Sequence, residues 1–140
     1  MKIIQKSALA VIQNNKLLVV RSHNSQFLLM PGGKPEEGES AVAALEREIK
    51  EELKCSIDMH TIKFIGTFDD VAATDAAVVS IGLYSGNLIG IPKPSSEIKG
   101  LVWISPRDIS LPQLSPIIKN KIMPFLLAIG ALHLPLKKLL

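Results

Sequence analysis

Three glutamates share one face of a predicted helix. Glu48, Glu51 and Glu52 stand at positions i, i+3 and i+4, which at 100° per residue places them within an arc of about 100°. Each like-charge neighbour costs a helix about 0.2–0.5 kcal/mol, and these acids lie towards the helix C-terminus, where the helix dipole disfavours negative charge. A hard divalent cation such as magnesium prefers oxygen ligands and would remove this conflict.

The charges of the same helix also have an ordinary explanation. Glu46 with Lys50 and Arg47 with Glu51 are oppositely charged pairs four residues apart, as found on many solvated helices. From the helix alone, a metal site and a salt-bridged surface helix therefore both remain open.

Charge is unevenly distributed along the chain. The 140 residues include 16 Lys and Arg and 13 Asp and Glu, which gives a net charge of +3. Seven of the acids lie between positions 36 and 52, where only Arg47 and Lys50 oppose them. An acidic segment within a basic chain is expected if a cation and an anionic ligand bind there, although a solvated charged helix also accounts for it.

The three glutamates belong to a longer pattern of glycine, five residues, glutamate, seven residues and then Arg-Glu-Ile-x-Glu-Glu. The pattern is formed by Gly33, Glu39, Arg47, Glu48, Ile49, Glu51 and Glu52. It resembles the Nudix box, the signature of hydrolases that act on nucleoside diphosphates linked to another moiety. Met30-Pro31-Gly32 also resembles that family, whereas Lys54 stands where the family usually has glycine and Cys55 where it prefers an aliphatic residue.

The resemblance implies metal ligands. Magnesium or manganese would be bound by the side chains of Glu48, Glu51 and Glu52, assisted by the backbone carbonyl of Gly32. Arg47 would instead pair with Glu39 and neighbouring acids and so fix the loop to the helix. Since Gly32 and Gly33 tolerate tight turns, they would bring backbone oxygen to the ion.

The resemblance also implies the reaction and its further residues. Water would attack phosphorus and cleave a phosphoanhydride bond, and one of Glu48, Glu52 and Glu97 would accept the proton of that water. The predicted catalytic set is these three glutamates with Arg47. Substrate contacts are predicted at Arg21, Gly33 and Glu39.

Glu97 is the candidate for the additional acid that such enzymes often use outside the box. It lies just before a predicted strand, six residues ahead of Trp103. Its competitors are Asp69, Asp70 and Asp75, which fall in a predicted loop, and a solvent-exposed role for Glu97 remains open.

Hydrophobic patterning predicts the elements that must position these residues. Ser40 caps a helix over 41–54, in which apolar residues recur at helical spacing, and a last helix begins after Ser115 and runs towards Gly130, with Pro124 kinking or splitting it. Strands are predicted at 7–12 and 16–21, as a hairpin, and at 27–30, 61–68, 77–85 and 98–104, with loops at 69–76 and 92–96 and an edge strand within 86–91. These elements predict a mixed sheet with helices on its faces, and the resemblance implies a Nudix α/β/α sandwich.

Length and composition predict a single domain over 1–140 with an apolar helix and tail at about 115–140. The lone Cys55 excludes an intrachain disulfide and suits a reducing cytoplasm, and Gln5 and Lys6 interrupt any signal-peptide core. The apolar stretch 122–136 is too short to span a membrane and contains prolines. A packed terminal helix is expected there, with a membrane-surface element or a homodimer contact as the alternatives.

The predicted substrate is a nucleoside triphosphate or a damaged nucleotide, with nucleotide sugars and ADP-ribose as alternatives. Val71 occupies the position at which many ADP-ribose hydrolases have proline. Aromatic residues for base stacking are few, and Arg21 and His23 could contact phosphate or base or simply lie in a surface loop.

A non-catalytic nucleotide sensor is the second class of function. A nucleic-acid-binding module, the third, is disfavoured because no basic run carries interleaved aromatics, so no stable nucleic-acid complex is expected.

Overall fold

A computed structural model describes residues 2–72 and 76–134. The strands are β1 (Lys2–Ala10), β2 (Ile12–Gln13), β3 (Lys16–Ser22), β4 (Leu28–Leu29), β5 (Gly32–Gly33), β6 (Ser56–Ile57), β7 (Lys63–Val71), β8 (Ala77–Ser85), β9 (Leu88–Ile89) and β10 (Ile98–Ile104). The helices are α1 (Ala41–Leu53) and α2 (Met123–Ala128). A 3-10 turn (Pro106–Ser110) and a π-helical turn (Ile118–Ile122) lie between β10 and α2.

The strands form two larger sheets and one small pair. The first sheet has the order β5-β1-β8-β7 and is mixed, since β1 runs parallel to β8 and the other pairs are antiparallel. The second has the order β10-β3-β2, with β4 also paired to β3, and is antiparallel throughout. Strands β6 and β9 form the short pair, which matches the edge strand predicted within 86–91.

Helices cover both faces of these strands, which confirms the predicted α/β/α layering. Because side chains alternate along a strand, β1 and β3 each send residues to two cores. Towards α1 the core contains Leu9, Val11, Leu18, Val20, Leu45, Ile49 and Leu53. Towards the π-helical turn and α2, together called the C-terminal helical segment below, it contains Ala8, Ala10, Leu17, Val19, Ile118, Ile122 and Leu126. Burial on both faces explains the uninterrupted apolar run 17–20.

Helix α1 begins and ends close to its predicted bounds. The Ser40 hydroxyl accepts a hydrogen bond from the Ala43 N–H at 3.1 Å and so caps the first turn. The helix ends at Leu53 because Lys54 adopts a left-handed conformation with φ of 55°. Its N–H still bonds to the Lys50 carbonyl at 3.2 Å. Lys54 therefore occupies the conformation that glycine adopts most easily.

The predicted N-terminal hairpin is wrong over most of its length. Ile12 and Gln13 pair with β3, and the Val11 carbonyl accepts a hydrogen bond from the Leu18 N–H at 2.9 Å. The turn between them contains Asn14 and Asn15, with φ of 52° and 59°. Strand β1 instead lies between β8 and β5. A central position buries both faces of an apolar strand, which a two-stranded hairpin cannot do.

The predicted loop over 69–76 is wrong at its start. Asp69 and Asp70 continue β7, paired with Ser80 and Val79 of β8. Their backbone groups complete the ladder while their side chains remain at least partly accessible, so acidic residues do not prevent a strand there. Asp75 lies outside the described residues.

The C-terminal helical segment is irregular at the predicted proline. The Met123 N–H bonds to the Ile118 carbonyl, five residues back, ahead of Pro124, which has no N–H to donate. Gly130, with φ of 77°, follows the end of α2. No helix in 2–72 or 76–134 has the length and apolar character needed to cross a membrane. Residues 135–140 of the predicted tail lie outside the described residues.

Candidate active site

Helix α1 carries two of its glutamates beside its buried face. Leu45, Ile49 and Leu53 are completely buried, which fixes how the helix is rotated about its axis. Glu48 and Glu52 lie one turn apart next to this stripe. The consequence for Glu52 is a side chain only 4% exposed.

The two glycines of β5 hold these glutamates at close range. The Gly32 N–H donates a hydrogen bond to Glu52 Oε1 at 2.8 Å. A Cβ atom at Gly33 would lie 2.5 Å from the carboxyl carbon of Glu48, so any side chain there would displace the Glu48 carboxylate. Gly32 has φ of 139° and crosses the Ser7 backbone so tightly that a side chain would overlap it. The glycines therefore bring the loop backbone against the helix carboxylates.

Arg47 joins the loop to the helix. Its Nε and Nη2 atoms donate to the two carboxylate oxygens of Glu39, each at 2.9 Å, and its Nη1 donates to Glu48 Oε1 at 2.7 Å. Nη2 also donates to the Lys34 carbonyl at 3.2 Å. The hydrogen bonds from Arg47 lower the pKa of Glu39 to about 2, and these carboxylates in turn raise the pKa of Arg47. The guanidinium stays charged and orients Glu48.

Glu97 reaches the same place from a distant part of the chain. The segment before it is anchored to the end of α1, because Lys93 N–H bonds to the Leu53 carbonyl at 2.8 Å and Ser95 N–H to the Glu52 carbonyl at 3.0 Å. Ser96 then takes a left-handed conformation with φ of 57° and turns the chain into β10. Carboxylate oxygens of Glu48, Glu52 and Glu97 lie within 4.8 Å of one another. These three residues are called the carboxylate cluster below.

Burial and crowding change the proton affinities within the carboxylate cluster. Burial raises the pKa of Glu52 to about 8, assisted by Glu48 and Glu97 and opposed by the Gly32 N–H, which favours the ionised form. The pKa of Glu48 is also raised, mainly by burial. Hydrogen bonding from Ser96 lowers the pKa of Glu97. The cluster therefore combines an acid that keeps its proton at neutral pH with one that releases it.

The other predicted acidic ligands lie outside the cluster. The Glu51 side chain is 50% exposed, and its carboxylate lies 3.6 Å from Arg47 Nη1. Asp70 accepts a hydrogen bond from Asn120 Nδ2 at 3.0 Å, and neither Asp69 nor Asp70 is part of the cluster. Cys55, next to the box, is 7% exposed within the core that faces α1, and burial raises the pKa of its thiol.

A cavity of about 420 Å³ opens beside the cluster. It lies between the two larger sheets, and its lining includes all three glutamates, Gly32 and Gly33, and two lysines, Lys6 and Lys34. Arg21 does not line it, because the neighbours Val20 and Ser22 point inwards and alternation sends Arg21 to the opposite face. Glu39 is engaged by Arg47 and is also absent from the lining.

The lining also contains polar residues that the sequence analysis did not assign to the site, among them Lys6, Lys34 and Ser115. Lys34 follows the two glycines directly, and Lys6 interrupts an apolar strand, so each had a weak local signal. Ser115 was identified only as a helix start. The side on which each side chain lies depends on strand register and on chain packing, which local patterning does not reveal.

A family model described as the NUDIX domain matches residues 4–126. Among curated proteins, no sequence matches the chain significantly.

Solved structures share the fold over nearly the whole chain. The E. coli ORF135 protein is 25% identical with a TM-score of 0.72, covering 94% of each chain. A NUDIX hydrolase from Nitrosomonas europaea is 22% identical with a TM-score of 0.73, covering 99% of this chain and 97% of that one. A MutT NUDIX hydrolase from Burkholderia pseudomallei is 20% identical with a TM-score of 0.71, covering 89% and 98%.

Proposed function

The chain belongs to the NUDIX family and is a Nudix-type pyrophosphohydrolase, and from that premise we propose that it uses Mg²⁺ or Mn²⁺ to cleave the phosphoanhydride of a nucleoside triphosphate or a damaged nucleotide. The observation that carries this proposal is the convergence of Glu48, Glu52 and Glu97 at the edge of the cavity.

The donor set fits a hard divalent cation. Three carboxylates offer oxygen ligands within 4.8 Å of one another, the ligand type that Mg²⁺ and Mn²⁺ prefer. Burial holds Glu52 among like charges, so its ionised form is unfavourable without a cation. The carbonyl of Gly32 and the side chain of Glu51 complete the proposed ligand set. When bound, the cation would neutralise phosphate oxygens and lower the pKa of a water molecule.

The protein's own residues have separable roles in this proposal. Arg47 holds Glu48 and the loop through Glu39, and so acts as a positioning residue. Within the described residues, Glu48, Glu52 and Glu97 are the only acids that line the cavity. The proton released by the attacking water would therefore pass to one of them.

Lys6 and Lys34 suit the anionic part of the substrate. Both line the cavity, and neither lies within 4.0 Å of a carboxylate in the described part of the chain. Their ammonium groups are therefore free to attract phosphate oxygens. Gly33 would contribute by leaving the backbone open to the ligand.

The test is hydrolysis of a nucleotide panel by purified protein, with and without Mg²⁺ or Mn²⁺. Glu52→Gln keeps the size of the side chain and an acceptor for the Gly32 N–H but removes the charge. We expect it to lower kcat/KM by about 10³-fold. Glu46→Gln, on the same helix but outside the cluster, is the control and should retain activity.

Turnover that is independent of metal, or equal in wild type and Glu52→Gln, would refute the metal assignment. Binding of nucleotides without hydrolysis across the panel would favour a sensor instead. A cytoplasmic location, a homodimer and the lack of a stable nucleic-acid complex remain expectations of the same proposal.

A further inference from the structure

The hydroxyl of Ser115 is buried and has no hydrogen-bond partner among the described residues. Ser115 is 3% exposed and lines the cavity that contains the carboxylate cluster. Buried polar groups in folded proteins are nearly always satisfied by protein, water or ligand. The hydroxyl therefore calls for a partner that enters the cavity.

The protein holds Ser115 in place through its backbone and leaves the side chain unused. Its N–H donates to the Leu28 carbonyl at 3.1 Å, and its carbonyl accepts from Ile118 and Lys119 at 3.1 and 3.2 Å. A serine before a helix ordinarily caps a free N–H with its hydroxyl, as Ser40 does for Ala43. Ser115 stands at the equivalent place and makes no such bond.

The position of Ser115 is also rigid relative to the active-site loop. Leu28 N–H bonds to the Gln113 carbonyl at 2.7 Å, and Leu28 and Leu114 form a parallel bridge. Strand β4 leads within a few residues to Gly32 and Gly33, which contact Glu52 and Glu48. A ligand that reaches from Gly32 and Gly33 to Ser115 would therefore contact segments of the chain that are hydrogen-bonded to each other.

The apolar lining of the cavity can contact both faces of a heterocycle, although it offers no aromatic ring to stack on it. Aliphatic side chains dominate the lining, among them Ile4, Met30, Val79, Ile81 and Ile117. No aromatic residue lines the cavity in the described part of the chain. Aliphatic contacts hold a planar ring but do not distinguish one ring from another, so discrimination depends on polar groups. Besides the charged residues, the polar side chains of the lining belong to Ser7, Ser22, Asn24, Ser25 and Ser115. Among the described residues, the Ser115 hydroxyl is the buried one without a hydrogen-bond partner.

We infer that Ser115 is a specificity-determining residue, whose hydroxyl hydrogen-bonds the polar edge of the substrate's heterocycle. The inference rests on the proposed function, which places the phosphates at the carboxylate cluster and leaves the remaining cavity for the base. A site with a polar group built to meet a substrate group discriminates strongly, since the wrong substrate leaves that group unpaired.

The experiment compares Ser115→Ala with wild type on substrates that have or lack a base. The substrates are the four deoxynucleoside triphosphates, 8-oxo-dGTP and base-free 2-deoxyribose 5-triphosphate. Loss of one neutral hydrogen bond should lower kcat/KM for the preferred nucleotide about 10-fold. For the base-free triphosphate the change should be below about 2-fold, because the lost contact was never made. Ser110→Ala, at an exposed position nearby, is the matched control.

Thermal unfolding separates recognition from structure. The hydroxyl makes no hydrogen bond within the described protein, so Ser115→Ala should unfold at the wild-type temperature or above it. A lower unfolding temperature with equal loss on all substrates, or unchanged kinetics on all of them, would overturn the inference.

Failure of the proposed function has a different signature. Wild type would then hydrolyse no member of the set, and non-hydrolysable triphosphates would replace the substrates in a binding measurement. Weaker binding of the base-containing analogue alone in Ser115→Ala would still support the inference. If wild type and Ser115→Ala bound the base-containing analogue equally, the inference would be overturned.

Discussion

The charged groups around α1 fall into two regions that differ in how their charges are matched. On the loop side, the Arg47 guanidinium contacts Glu39 through two hydrogen bonds of 2.9 Å and Glu48 through one of 2.7 Å. On the cavity side, Glu52 is buried beside Glu48 and Glu97. Glu48 belongs to both regions.

The pKa values show what this difference does. Pairing with Arg47 lowers the pKa of Glu39 to about 2, whereas burial raises that of Glu52 to about 8. The loop side is therefore stable in its ionised form and fixes the loop to α1. The cavity side is unfavourable in its ionised form, because Glu52 is buried beside two other carboxylates, and such perturbed groups are typical of binding sites.

The pH dependence of stability should separate the two regions most strongly. Glu52 has a higher pKa in the folded chain than in the unfolded chain, so the metal-free protein should lose up to about 4 kcal/mol as pH rises from about 4.5 to 8. Glu39 acts in the opposite direction, and its contribution is lost as pH falls towards about 2. Denaturant unfolding in EDTA across this range measures the effect.

The control for the pH series is Glu52→Gln, which should flatten the fall between pH 4.5 and 8. Saturating Mg²⁺ should also offset it, because the cation binds the ionised form of the folded state. A slope unchanged in Glu52→Gln would show that another group titrates.

Arg47→Lys tests the loop side. Lysine keeps the charge but cannot make the two parallel bonds to Glu39 together with the bond to Glu48. We expect a loss of about 1–2 kcal/mol of unfolding free energy and a fall in kcat/KM of about 10-fold or more. Lys50→Ala, exposed on the same helix, should change neither. Wild-type activity in Arg47→Lys would mean that Glu48 does not need this partner.

Glu51→Gln sharpens the boundary between the regions. The Glu51 carboxylate is half exposed and 3.6 Å from Arg47, so solvent already screens it. Steady-state kinetics with Mg²⁺ should show a loss of less than about 10-fold, far smaller than for Glu52→Gln. Losses of equal size in the two variants would show that Glu51 contributes as much to metal binding as Glu52 does, which would contradict this boundary.

Lys54→Gly should have the smallest effect and should involve neither region. Lys54 has φ of 55° at the end of α1, and glycine would relieve about 1 kcal/mol of backbone strain. The unfolding temperature should rise by a few degrees, about 2–5 °C for a chain of this size, with kcat/KM unchanged. Destabilisation would instead indicate that the Lys54 side chain supports the helix end.

Local patterns in the sequence were sufficient to predict α1 and the shared face of Glu48 and Glu52. The spacing of Leu45, Ile49 and Leu53 predicted the helix, and Ser40 predicted where it begins. The same spacing placed Glu48 and Glu52 next to the buried stripe. These features depend on residues within a few turns of one another, so they can be recognised without the fold.

Tertiary contacts decided which acids meet and what surrounds them. Glu97 joins the cluster because the segment from Lys93 is hydrogen-bonded to the end of α1, and Glu51, although on the same helix, does not lie in it. Strand β1 became a central strand rather than half of a hairpin, and this placed Lys6 in the cavity. Ser115 lines the cavity through its pairing with Leu28. Each of these outcomes depends on contacts between residues far apart in the chain, which only the assembled sheets and helices bring together.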